Sequence, residues 1–146
     1  MGASKALLAV VGAHLVLNLV GLVISVAGRM PAEFGGVGDP DKVLGEFFTR
    51  GTLLAAPLAP LVALVAFTVF AWRGGRWLAM LGFLGLAVIG ILFVIGNLGE
   101  PLEPEASDPH IAFLIVWRAI SIGLSGALAG LSARGLYDRL RSRRVA

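Results

Sequence analysis

The chain has 146 residues, 58% of them hydrophobic and 14% charged, with a mean hydropathy of +0.90. A soluble globular domain is about 45–50% apolar and about 25% charged, so this balance excludes an ordinary soluble fold. The net charge of +3 comes with no cysteine, which excludes a disulfide framework and any thiolate metal site.

A helix needs about 20 apolar residues to cross the hydrocarbon core of a bilayer. Four runs meet that length, at 6–27, 51–72, 78–98 and 111–131. The first reads "ALLAVVGAHLVLNLVGLVISVA", and its His14, Asn18, Gly21 and Ser25 fall on one helix face. Such a stripe should face protein, because lipid offers no hydrogen-bond partner. The run is longer than the apolar core of a cleaved signal peptide, so it reads as a retained span.

The connection 28–50 is broken by Gly35, Gly36, Gly38 and Pro40. After them "DKVLGEFFTR" predicts a short helix capped by Asp39 or Asp41. Val43, Leu44, Phe47 and Phe48 make it amphipathic, fit for the membrane interface. The second run contains Pro57 and Pro60, which predict a kink in its outer half. A tight turn, "WRGGRW", follows, with Trp72 and Trp77 as interfacial anchors. The third run carries Gly82, Gly85, Gly90 and Gly96 and ends in the acidic loop 99–110. The fourth holds a GxxxG, Gly126 and Gly130, expected to pack within the chain, with homodimerisation as the alternative.

Charge orients these runs. Lys5, Arg73, Arg76, Arg134, Arg139, Arg141, Arg143 and Arg144 fall on one side. Arg29, Lys42 and Arg50 share the other with all the acids except Asp138. This is the positive-inside pattern. It predicts an all-α membrane protein in the cell membrane, a single up-down bundle of four transmembrane helices with both termini cytoplasmic. The basic tail 132–146 then anchors topology and meets anionic headgroups, so membrane lipids are expected partners and nucleic acid is not.

The polar residues within the spans suggest one site. At a rise of about 1.5 Å per residue, Arg118 lies about 10 Å below the outer edge, Asn18 about 13 Å and His14 about 20 Å. Ser121 and Ser125 follow Arg118 on its own face, Asn97 closes the third span below Glu100, and Arg50 opens the second with Glu46 one turn earlier. The outer half of the bundle is therefore expected to enclose a polar cluster. An arginine facing lipid costs about 2.5–3.5 kcal/mol or more, so Arg118 needs a fastening partner, Glu100 or Glu46, a ligand oxygen, or a contact with a partner subunit. His14 is either a hydrogen-bonding contact between helices or a general base or proton relay. His110 lies in the outer loop, so paired haem ligands would sit at opposite depths, and zinc would need more ligands on one level. No metal or cofactor is expected. Arg118, Asn97 and His14 are the candidates to act on a bound molecule. Asn18, Arg50, Glu100, Trp117 and Ser121 are the candidates to hold it.

The stretches "FFTRGTLLAAPLAP", "GNLGEPL" and "VWRAISIGL" resemble the small four-helix membrane proteins grouped with anthrone oxygenases. The resemblance runs roughly from Phe47 to Leu131, with Arg50, Asn97, Trp117 and Arg118 at the matching positions. Ile115 and Val116 stand where that family's pattern has a histidine before the arginine. The resemblance implies cofactor-free oxidation of an aromatic polyketide. Three functions follow as expectations. The first is an enzyme or binder of a lipophilic small molecule entering from the outer leaflet. The second is a homodimeric transporter with a path along His14 and Asn18. The third is an accessory subunit joined to a larger complex through its glycine-rich faces.

Overall fold

The computed structural model describes residues 2–32, 38–99 and 111–141, and among them every regular element is a helix. In chain order these are α1 (Gly2–Ala27), α2 (Val43–Phe47), α3 (Leu58–Arg73), α4 (Arg76–Gly99) and α5 (Ile111–Arg141). Helices α1, α4 and α5 are long and apolar enough to cross a membrane, and α3 is a shorter apolar helix of 16 residues. Many of their large apolar side chains point outward, among them Val16, Leu19, Val62, Leu81, Ile95 and Val116. A surface of this kind suits lipid rather than water. Helix α5 continues beyond its apolar run, through Arg134 and Arg139, to Arg141.

The second apolar run differs from its sequence-based expectation. It begins at Gly51 but is helical only from Leu58. Gly51 adopts φ 84°, a left-handed conformation that favours glycine. Pro57 is the N-cap of α3, and Pro60 falls in its first turn, where a missing backbone N–H removes no intrahelical bond. The two prolines therefore start the helix late instead of kinking it. The segment 51–57 stays irregular.

Short α2 forms where "DKVLGEFF" predicted a helix, with Val43 and Phe47 buried and Leu44 and Phe48 exposed. Its N-cap is Lys42, with no side-chain cap bond, rather than Asp39 or Asp41. Asp39 is occupied otherwise: Oδ2 meets Lys42 Nζ at 2.8 Å, and Oδ1 accepts the Asp41 N–H at 3.0 Å. The Lys42 hydrogen bond holds the Asp39 carboxyl below its ordinary range, and Asp39 in turn raises the Lys42 ammonium.

Small residues set how closely the long helices approach. A Cβ on Gly82 would strike Ala71 and Phe67 of α3, and one on Gly90 would strike Ser125 and Ala129 of α5. Gly135 of α5 lies against the Phe83 ring. These pairings run in opposite directions along the chain, so α4 is antiparallel to both neighbours. Helix α1 packs mainly on α5. Leu64, Leu86 and Leu128 are fully buried where the helices meet. The stripe predicted on α1 does face protein: His14, Asn18, Gly21 and Ser25 are all buried. The GxxxG of α5 does not pack within the chain as expected. Gly126 and Gly130 are exposed, with nothing near either Cβ position.

Gly90→Val should therefore destabilise the bundle by about 1–3 kcal/mol through overpacking, while Gly126→Val leaves the stability of the single chain unchanged. Thermal unfolding of both variants in one detergent checks this. Equal midpoints would contradict the packing described.

Candidate functional site

The site begins with the irregular segment 51–57. In a bilayer, backbone that is neither helix nor closed sheet persists only where protein or a water-filled cavity satisfies it. Here protein supplies the partners. Thr52 N–H bonds Ala55 O at 2.8 Å, closing a tight turn. Ala55 N–H donates to Thr52 Oγ1 at 3.0 Å, and that hydroxyl donates to Ser25 Oγ at 3.1 Å. Ala56 N–H donates to Asn18 Oδ1 at 2.7 Å. Trp117 Nε1–H of α5 donates to Leu54 O at 3.1 Å. Gly21 makes room for this arrangement, because a Cβ there would collide with the Leu54 carbonyl and the Trp117 ring. Asn18, Gly21 and Ser25 thus form a cradle along α1 for the segment.

Beside the cradle lies a cavity of ≈ 280 Å³. Its walls come from His14, Leu17 and Asn18 of α1, residues 52–57 with Pro60, Ile89, Leu92, Phe93, Gly96 and Asn97 of α4, and Ser121 of α5. Arg50 completes the lining. It sits at the loop end, with Nη1 3.9 Å from Glu46 Oε1. Glu46 Oε1 also accepts the Asp39 N–H at 2.9 Å, and its Oε2 is buried with no hydrogen-bond partner. The imidazole of His14 stacks on Phe93, with ring centroids 5.0 Å apart and planes 6° from parallel. His14 is only 3% exposed, and its Nδ1 is buried without a hydrogen-bond partner.

Five of the sequence-derived candidates, His14, Asn18, Arg50, Asn97 and Ser121, line this one cavity. Their hydrogen bonds separate them chemically. The Asn18 amide is committed at both ends, since Nδ2 donates to His14 O at 2.9 Å while Oδ1 holds Ala56. Ser121 Oγ donates to Trp117 O at 3.0 Å, and Ser125 Oγ to Ser121 O at 2.7 Å. Both hydroxyls are thus satisfied within α5. Asn97 Nδ2 donates to Phe93 O at 2.7 Å. Trp117 stands behind the cavity wall, tilted against Phe113 at 5.6 Å. Arg118 is half-buried, makes an interaction of its own, and does not line the cavity. Glu100 and His110 lie outside the described residues. Among the described residues, no group of three or more His, Asp or Glu is placed to hold a metal ion.

Two features have no clear mark in the sequence. Phe93 pairs with His14, and Thr52 links the irregular segment to Ser25. The first carries no sequence signal, because an apolar helix offers many phenylalanines and no hint of which meets a histidine. The second shows only in outline, as "GTLLAAPLAP" bracketed by glycine and proline. No family model, no curated protein and no solved structure matches this chain.

Asn18→Leu removes the acceptor for Ala56 N–H and should cost about 1–3 kcal/mol, the penalty of an orphaned buried donor. Exchange of the Ala56 amide should accelerate in the same variant. Thermal unfolding and amide exchange in micelles check both. Unchanged exchange would show that Asn18 does not hold the segment.

Proposed function

We propose that this chain is a multi-pass protein of the cell membrane, with four spans, both termini cytoplasmic, and a lipophilic small molecule held in the cavity between α1, α4, α5 and the 51–57 segment. The observation that carries this reading is the cavity itself. Its walls are mostly apolar, and polar groups enter from a few points only, His14, Asn97 and Arg50 among them. Small-molecule sites have this character: apolar walls with a small number of placed polar groups. The basic residues of the α3–α4 turn and of the α5 end support the orientation. In that orientation the cavity lies in the outer half of the bundle, open to a molecule arriving from the outer leaflet. Arg50, at the loop end, offers a cation to the polar end of that molecule.

A second reading has one observation in its favour. Of the four positions that resemble the anthrone oxygenases, Arg50 and Asn97 line the cavity, and Trp117 bonds to the Leu54 carbonyl of its wall. This supports a cofactor-free oxidation of an aromatic substrate in the same space. The outward glycines of α5, Gly123, Gly126 and Gly130, favour association of copies of the chain. Transport along α1 has less behind it, because among the described residues His14 and Arg50 are the only titratable side chains in the cavity lining.

Gly96 supplies the test. It lines the cavity, and nothing lies within 4 Å of its Cβ position. Gly96→Phe should therefore fill the cavity and leave the fold intact. In nanodiscs, saturable binding of radiolabelled decanoate is expected to disappear in Gly96→Phe and to weaken about tenfold in Arg50→Met, the loss of about 1.4 kcal/mol. Absence of saturable binding to the unaltered chain, or binding that survives Gly96→Phe, would refute the reading.

A further inference from the structure

Within the cavity lining, His14 is a polar side chain whose place packing alone does not account for. Asn18 is committed at both ends, and Ser121 and Ser125 are satisfied within α5. The His14 imidazole lines the cavity and is 3% exposed, yet its Nδ1 is buried with no hydrogen-bond partner. A buried polar atom left unpaired costs the desolvation of that group, about 1–3 kcal/mol. A phenylalanine would pack on Phe93 equally well without that cost. Stacking holds the ring nearly parallel to Phe93 and covers one of its faces. The edge of the ring, where its nitrogens lie, is left as its means of polar contact. Orientation fixed in this way lowers the ordering cost of binding.

Resting on the reading of the cavity as a small-molecule site, we propose that the imidazole of His14 is its deep polar contact, and that the ligand class is a lipophile carrying a neutral hydroxyl. A neutral imidazole has one donor nitrogen and one acceptor nitrogen. A hydroxyl both donates and accepts, so it suits a ring nitrogen facing the cavity in either tautomer. A carboxylate accepts only, and an ammonium donates only. Each of those charged groups would also lose its hydration this deep in the bundle, at a cost that a single imidazole does not offset. Arg50, at the loop end of the same cavity, is the group placed for charge. The cavity thus has a neutral polar end and a cationic end, and the hydroxyl belongs at the neutral one.

The test uses the full chain in nanodiscs with two probes of one shape, 4-propylphenol and 4-propyltoluene. Only the first carries a hydroxyl. Affinities are measured for the unaltered chain and for His14→Phe, which keeps the stack on Phe93 and removes both nitrogens. Comparing the ratio of the two affinities between the proteins cancels partitioning into lipid. The preference for the phenol should fall about tenfold in His14→Phe, and affinity for the toluene should hold. An unchanged ratio overturns the His14 contact while leaving the cavity reading intact. If neither probe binds the unaltered chain saturably, the cavity reading fails and this proposal fails with it. Should His14→Phe not fold, ¹⁵N resonances of the imidazole, recorded in a His110→Gln background, decide the matter. They should shift with the phenol and stay in place with the toluene. Equal responses to both probes overturn the contact.

Discussion

Backbone buried away from water needs hydrogen-bond partners, and the segment 51–57 is peptide that no helix satisfies. The rest of the site depends on how that need is met. Asn18 accepts from Ala56, Trp117 donates to Leu54, and Thr52 joins Ser25 to the Ala55 amide. These bonds tie the segment to α1 on one side and α5 on the other. Because α3 starts only at Leu58, the described residues supply no fourth helix at the end of the bundle beside residues 51–57. The space beside the irregular segment is the cavity. Without its clamps the segment would have to become helical or find other partners, and in either case the cavity walls would change.

This constraint assigns roles to residues that otherwise resemble a catalytic set. Three of the four positions in the α1 stripe hold the segment or make room for it: Asn18, Gly21 and Ser25. Only His14 among them has a ring nitrogen left unpaired. The serines of α5 are similarly absorbed by their own helix. A polar residue in a membrane span is costly enough to demand a reason, and here most of the reasons are structural. The polar groups that these bonds leave in the lining are His14, Asn97 and Arg50, spread along one apolar cavity.

The legible parts of the sequence were those with a period or a length. Hydropathy marked the long helices, because a run of about 20 apolar residues matches the thickness of a bilayer and exceeds what a soluble core requires. The spacing of His14, Asn18, Gly21 and Ser25 marked the buried face of α1. The start of α3 was harder. Gly51, Pro57 and Pro60 were plainly visible, but apolar composition is the same for a kinked helix and for an irregular segment sheltered by protein. Only the partners on other helices distinguish the two, and those partners are far away in the chain. The glycines show the same limit. A small residue announces close approach without naming the neighbour, so Gly82 and Gly90 pack inside the chain while Gly126 and Gly130 face outward. Arg118 stands out as a charge inside an apolar run, yet Arg50, at the margin of its span, is the arginine that lines the cavity.

The central claim is that the chain from Gly51 to Pro57 is irregular backbone held by side chains of α1 and α5. Backbone carbon chemical shifts of the labelled protein in lipid bilayers measure this directly, residue by residue. The expected result is helical shifts from Leu58 through Arg73, non-helical shifts from Thr52 through Ala56, and an Ala56 amide protected from exchange as strongly as its helical neighbours. Continuous helical shifts from Gly51 onward would contradict the account, because the segment would then need no cradle and the cavity would lose its wall.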